Sequence, residues 1–206
     1  DILSPQAEGK ILKLARYTTD LFEKIINGEE FYSLMFLGLA QEGHAYGKYM
    51  EAVQINRRML KDPAVRQFLY RKLKRHINDA KLGKIYADGF YHTIVMDMVG
   101  YLEYAAAKTP VGCLHEQEFY APTLPEGEAL SFRSPLVDPS EVNQVRLVSS
   151  PTLERWFSHW KGQDIAMLNM YDLSLPQQGG ADCDGDAVFL CCDPALMGTR
   201  IAKPII

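Results

Sequence analysis

The sequence predicts an α+β protein, with a helical N-terminal half followed by a compact β-rich half that embeds one helix. Three observations carry that prediction. Apolar residues recur at helical spacing up to about residue 83. After Thr109-Pro110 the chain turns into short β-branched and aromatic runs separated by Pro and Gly. Near the C-terminus Asp182, Asp184 and Asp186 alternate with Cys183 and Gly185, directly ahead of the apolar run Ala187-Val188-Phe189-Leu190.

Taken in order, Ser4 as N-cap and Pro5 in the first turn open a helix. Ile11, Leu14, Ala15, Leu21, Phe22, Ile25 and Ile26 form its apolar stripe, and Asn27-Gly28 stops it. A second, largely buried helix is expected over Glu29–Gln41, and a third from about Tyr46 to Leu60. The fourth is marked at both ends, with Asp62 as cap, Pro63 in the first turn and Gly83 as terminator. Val65, Phe68, Leu69, Leu73, Ile77 and Ala80 line one side of it, leaving a cationic outer face. Strand is favoured for Phe90–Val95 and helix for Met98–Ala107. Further strands are expected near Cys113–Tyr120, Ala129–Arg133, Gln144–Val148, Ile165–Asn169 and Ala187–Cys192, with a short helix over Thr152–Lys161. A domain boundary is placed near residue 84, giving a helical region 1–83 and a β-rich domain 84–206.

With 206 residues and ordinary globular composition, the chain is long enough to bury a substantial core. Its longest apolar run, about Leu34–Ala40, is far short of the ~20 residues a membrane span needs. No secretory signal opens it, and a start at Asp1 suggests a piece of a longer protein. Cys113, Cys183, Cys191 and Cys192 form no CxxC pair and have no histidine at zinc spacing. Reduced cysteines in a cytoplasmic protein are therefore expected. The net charge is −4, yet ten Lys and Arg residues fall between Arg57 and Lys84, against Asp62 and Asp79. A basic helix far from an acidic cluster suits a polyanion held at one part and processed at another. A solvated helix face explains the same charges.

Three readings compete for the aspartates, which at i, i+2 and i+4 can converge in extended or turn backbone. An EF-hand is rejected, because position 6 would be Ala187 where glycine is required and Gly185 falls at position 4. A turn explains Asp184-Gly185 but not the other two aspartates. A catalytic Mg²⁺ site explains all three, because clustered carboxylates repel until a hard cation bridges them.

Gly180-Ala181-Asp182-Cys183-Asp184-Gly185-Asp186 resembles the metal-binding signature of the two-barrel RNA polymerase superfamily. That superfamily includes silencing-type RNA-dependent RNA polymerases and single-chain polymerase-like proteins of phages and mobile elements. Cys183 stands where a bulkier residue is usual, on the face away from the metal. About fifty residues upstream, Phe132-Arg133-Ser134-Pro135 resembles the family's Arg-x-Pro segment, with Phe132 in place of a usual asparagine. Glu118-Phe119-Tyr120 through Ser140-Glu141-Val142-Asn143 is similar to the single-chain branch.

The resemblance covers about Phe90 to Asp193 and implies that the second half is a double-psi β-barrel. It implies Mg²⁺ (or Mn²⁺) held by Asp182, Asp184 and Asp186 for addition of nucleoside triphosphates to an RNA 3′ end. Arg133 would contact the nucleotide ribose. Arg71, Lys72, Lys74 and Arg75 would contact the template or product backbone, a salt-sensitive role. The family's active site also needs a second, lysine-bearing barrel, so this chain alone is expected not to polymerise. The competing readings are a nucleic-acid-binding module that retains the scaffold without catalysis, and a Mg²⁺-dependent hydrolase. Trp156, Phe157 and Trp160 are expected in the core, His92 and His159 in structural roles, and Asp97 as a helix cap. Lys203 carries no reading.

Overall fold

The computed structural model describes residues 5–38 and 47–200. The expectations for Ser4, the helix end at Gln41, the helix start at Tyr46 and Lys203 fall outside the described residues. The chain divides into two compact units, Asp1–Tyr86 and Ala87–Ile206.

The first unit is helical. Helix α1 (Pro5–Ile26) ends one residue before Asn27-Gly28. Of its expected stripe, Leu14, Phe22 and Ile25 are buried, whereas Ile26 is 64% exposed. Helix α2 (Glu30–Leu37) is closed by Gly38, which adopts φ 117° and caps it with its own N–H. Helix α3 (Lys48–Ile55) stops early. Asn56 is extended, and its side chain caps a separate 3₁₀ turn, Arg57–Lys61, by accepting the Arg58 N–H. A local side-chain bond thus outcompetes helix continuation. Helix α4 (Pro63–Lys81) starts as read, with the Asp62 carboxylate accepting the Ala64 and Val65 N–H groups. Val65 joins Leu34, Leu37, Met50 and Val53 in one apolar cluster, and Leu73 joins Phe22, Ile25 and Phe36 in another.

The second unit is a closed six-stranded barrel. Its strands are β1 (Gly89–Val95), β2 (Glu118–Tyr120), β3 (Gly127–Phe132), β4 (Asn143–Leu147), β5 (Ile165–Leu168) and β6 (Ala187–Cys191). Around the barrel they run β1-β5-β2-β4-β3-β6. Two pairings, β1 with β5 and β2 with β4, are parallel, and the remaining four are antiparallel. Closure leaves no free edge. Ile94, Phe119, Leu147, Leu168 and Leu190 fill the interior alongside Ala129, Ala166 and Ala181, small residues that let the large ones fit. Helix α6 (Pro151–Phe157) and a following 3₁₀ turn cover the outer face at Tyr120 and Met167. Phe157 and Trp160 pack there, but Trp156 is 58% exposed and lies outside the core, contrary to expectation.

Strand β2 is shorter than expected because Asp97 captures the chain ahead of it. Asp97 caps helix α5 (Met98–Ala105) by accepting the Val99 and Gly100 N–H groups. Its other oxygen accepts the Cys113 and Leu114 N–H groups, at 2.8 and 3.1 Å. Gly112 lets this happen. It sits at φ 71°, and a Cβ there would lie 2.4 Å from the Asp97 carboxylate. The Cys113 thiol is pushed up to about 12 by burial first and by the Asp97 charge second. Helix α7 (Pro194–Met197), which the sequence reading lacks, is capped by Asp193.

His92 is fully buried on β1. Nδ1 faces the Phe90 carbonyl at 3.1 Å, so that nitrogen carries the proton and Nε2 accepts from the Thr123 hydroxyl at 2.6 Å. Burial lowers its proton affinity below the ordinary value near 6.5. The folded state therefore keeps His92 neutral while the unfolded chain takes up a proton. Stability contributed by this site is complete above about pH 6.5 and falls on acidification below it. The expected result is a melting-temperature profile that declines below about pH 6.5 in the native chain. His92→Gln should show a shallower decline, with lower stability at neutral pH.

Candidate metal centre

The loop from Gly179 to Asp186 leads directly into β6. Gly180 at φ 74° turns the backbone ahead of the aspartates and Gly185 at φ 126° turns it between Asp184 and Asp186, in a region where L side chains are strained. Ala181 is buried and belongs to the barrel interior cluster, and Cys183 packs against it. These two residues turn inward while Asp182 and Asp184 are exposed and Asp186 is half-buried. Cys183 thus occupies the inward position in place of a bulkier residue, and burial followed by the Asp182 charge raises its thiol.

The carboxylates of Asp182, Asp184 and Asp186 each offer an oxygen within 4.8 Å of the others. The loop is held by bonds among the three. Asp186 Oδ2 accepts the Asp182 N–H at 3.2 Å, and Asp182 Oδ1 accepts the Asp184 N–H at 3.3 Å. β1 also fixes Asp186, whose carbonyl accepts the Ile94 N–H at 2.8 Å. Crowding has an electrostatic consequence. A hydrogen bond with the Asp182 carboxylate and then its charge raise Asp184 above the usual carboxylate range.

Arg133, at the end of β3, reaches this site. Its Nη2 donates to Asp186 Oδ1 at 2.9 Å, and Nη1 donates to the Gly179 carbonyl at 3.4 Å. Fifty-three residues apart in sequence, Arg133 and Asp186 meet because β3 pairs with β6, with Phe132 opposite Phe189. The sequence reading missed Gln178. That side chain is 1% exposed, and its amide donates to the Ser174 carbonyl just ahead of the metal loop. No spacing or composition signal marks it.

The donor set fits a hard divalent cation, with three carboxylates and no sulfur or imidazole among them. A cation bridging these oxygens would also relieve the repulsion felt by Asp184.

Arg71, Lys72, Lys74 and Arg75 lie on α4 of the helical unit. Lys72 is not on an outer face. Its ammonium lies 5.0 Å above the Phe36 ring, donates to the Phe36 carbonyl, and is lowered by burial. Arg71 and Arg75 are exposed. Lys74, also exposed, borders a groove on another side of the helix. His159 is exposed, and Asp97 is a cap rather than a neighbour of the triad.

A closed six-stranded barrel bears an aspartate triad at the entry to its last strand, with an arginine that directly follows the adjacent strand, as expected of the two-barrel polymerase superfamily. Within it, the chain belongs to the RNA dependent RNA polymerase family, whose sequence profile matches residues 10–205. Among solved structures it is similar to the RNA dependent RNA polymerase QDE-1 from Thielavia terrestris, at 15% identity and a TM-score of 0.67. That match covers 98% of this chain and 24% of the QDE-1 chain, so the present chain spans about a quarter of that enzyme. A search of curated protein sequences gives no match. The double-psi β-barrel-like fold implied by the aspartate signature is the observed one, preceded by helices. No helix among the described residues is long and apolar enough to cross a membrane.

Proposed function

We propose that this chain supplies the aspartate-bearing half of a nucleotidyl-transfer site that adds nucleoside triphosphates to an RNA 3′ end. The observation that carries the reading is the convergence of three carboxylates within 4.8 Å beside the Arg133 guanidinium. Asp182, Asp184 and Asp186 would hold Mg²⁺. When bound, the cation lowers the pKa of the attacking hydroxyl and neutralises charge on the triphosphate.

The remaining work falls to side chains of this chain. Arg133 presents planar, permanently charged donors, and releasing Asp186 frees them for ribose hydroxyls or phosphate oxygens. Asp186 thereby couples cation binding to nucleotide binding through one carboxylate. Cys183 and Ala181 anchor the loop to the barrel, so its carboxylates are pre-positioned rather than gathered on binding. The exposed Arg71 and Arg75, one helical turn apart, contact the nucleic-acid backbone. The helical region and the barrel act as two domains, and a second, lysine-bearing barrel comes from elsewhere in the polymerase.

Nucleotide addition to an RNA primer, measured with a polymerase that joins this chain to its second barrel, tests the reading. Asp184→Asn should remove incorporation while leaving primer binding intact. The 206-residue chain alone should bind Mn²⁺ and incorporate nothing. Unchanged incorporation in Asp184→Asn would overturn the assignment. RNA binding without incorporation by the joined protein would favour a non-catalytic binding module.

Arg133→Ala separates the two partners of Asp186. With the guanidinium gone, the free chain should bind Mn²⁺ roughly three- to tenfold more tightly, equivalent to about 1 kcal/mol. The joined polymerase should instead need more nucleoside triphosphate, with KM raised. Electron paramagnetic resonance of Mn²⁺ reads the first effect and steady-state kinetics the second.

A further inference from the structure

We propose that the helical unit docks an acidic, amphipathic segment of another polypeptide in a groove along α4. The groove has a volume of about 730 Å³ and is built entirely from residues of that unit. Its floor is apolar: Ile25 from α1 meets Leu69, Leu73 and Ile77, which recur every four residues on α4. Its walls are cationic. Arg66, Lys74 and Lys81 stand along α4, with Arg57 and Lys61 on the 3₁₀ turn.

Among the residues lining the groove, one is an anion. It is Glu30, which pairs with Arg57 at 2.8 Å. Lys61, Arg66, Lys74 and Lys81 are exposed and make no ion pair among the described residues. Four uncompensated cations around an apolar floor are complementary to a ligand with carboxylates on its flanks and apolar groups beneath.

Length and chemistry narrow the class. Arg66 to Lys81 is sixteen residues of helix, about 22 Å between the first and last at 1.5 Å per residue, longer than a metabolite or single nucleotide requires. A polyphosphate backbone would satisfy the cations but leave the partly exposed Leu69 and Ile77 of the floor without an apolar partner. An amphipathic helix with apolar residues at i, i+4 and i+7 and acidic flanks satisfies both. Arg71 and Arg75, assigned above to nucleic acid, do not line the groove, although Arg71 stands one turn from Lys74 on the helix. This proposal does not depend on the polymerase reading.

Fluorescence anisotropy with the 206-residue chain provides the test. The probe is a labelled fifteen-residue peptide with leucines at helical spacing and glutamates elsewhere. Its comparators are a scrambled peptide of the same composition and a fifteen-nucleotide single-stranded RNA. The patterned peptide should bind at least tenfold more tightly than the scrambled one, and RNA should not displace it. Lys61→Glu combined with Lys81→Glu alters two exposed residues outside both apolar clusters. With an unchanged circular-dichroism spectrum, it should weaken peptide binding at least tenfold and leave RNA binding unaltered. Equal affinity for patterned and scrambled peptides would overturn the proposal. So would displacement of the peptide by RNA, or peptide binding that survives the double reversal.

Discussion

Asp186→Asn should abolish measurable Mn²⁺ binding by the chain, a larger effect than substitution of either neighbouring aspartate. Losing an outer partner of a metal ligand costs about 10- to 100-fold in affinity, and Asp186 is placed to be a ligand. It is also the most embedded of the three, because its carbonyl is bonded to Ile94 and its carboxylate to the Asp182 N–H. Asparagine removes the charge and leaves Arg133 beside a neutral amide, so the local balance shifts by one unit toward positive. Asp182→Asn, at an exposed position, should weaken binding but leave a measurable site. Mn²⁺ titration followed by electron paramagnetic resonance distinguishes the two. Equal effects at positions 182 and 186 would show that the Arg133 contact does not bias the site.

The largest loss of stability should come from a residue with no catalytic assignment. Asp97 is 2% exposed and accepts four backbone N–H groups, from Val99, Gly100, Cys113 and Leu114. Removing the carboxylate in Asp97→Ala orphans these donors together. Each unsatisfied buried group costs about 1–3 kcal/mol, so a total above ~3 kcal/mol is expected. That corresponds to a fall in melting temperature of roughly 10–20 °C for a unit of this size. Asp97→Asn keeps one acceptor oxygen and should fall between the two. Gly112→Ala should destabilise for the same reason from the other side, since its Cβ would collide with the carboxylate. Calorimetry on the three variants orders the effects. A mild Asp97→Ala would mean that water replaces the carboxylate.

The reading of α1 rested on its apolar stripe and the Asn27-Gly28 stop, that of α4 on the Asp62 cap and its stripe, and both helices formed where those signals stood. The single strands were legible from β-branched and aromatic runs for a similar reason. Side-chain alternation and turn residues are local properties, readable wherever a segment has one buried face. The failures were local competitions that composition does not reveal. Asn56 diverted α3 into a 3₁₀ turn through one side-chain bond, and Asp97 delayed β2 by binding the chain ahead of it. Trp156 looked like core by its spacing, yet α6 is only seven residues long and turns that position to solvent.

At the functional end, the three aspartates were legible because alternation places their carboxylates together within one short loop, whatever surrounds it. Arg133 could be suggested from its motif, but its bond to Asp186 depends on the pairing of β3 with β6, a contact across fifty-three residues. Lys72 had the composition of a solvent-facing cation and proved to be committed to Phe36, because only packing between helices selects which side of α4 is covered. That Lys74 lines the groove while Arg71 and Arg75 do not arises in the same way. Residue type and short-range spacing therefore establish what chemistry this chain carries. Long-range strand pairing and helix packing establish which charges meet one another and which remain available, since neither depends on sequence separation.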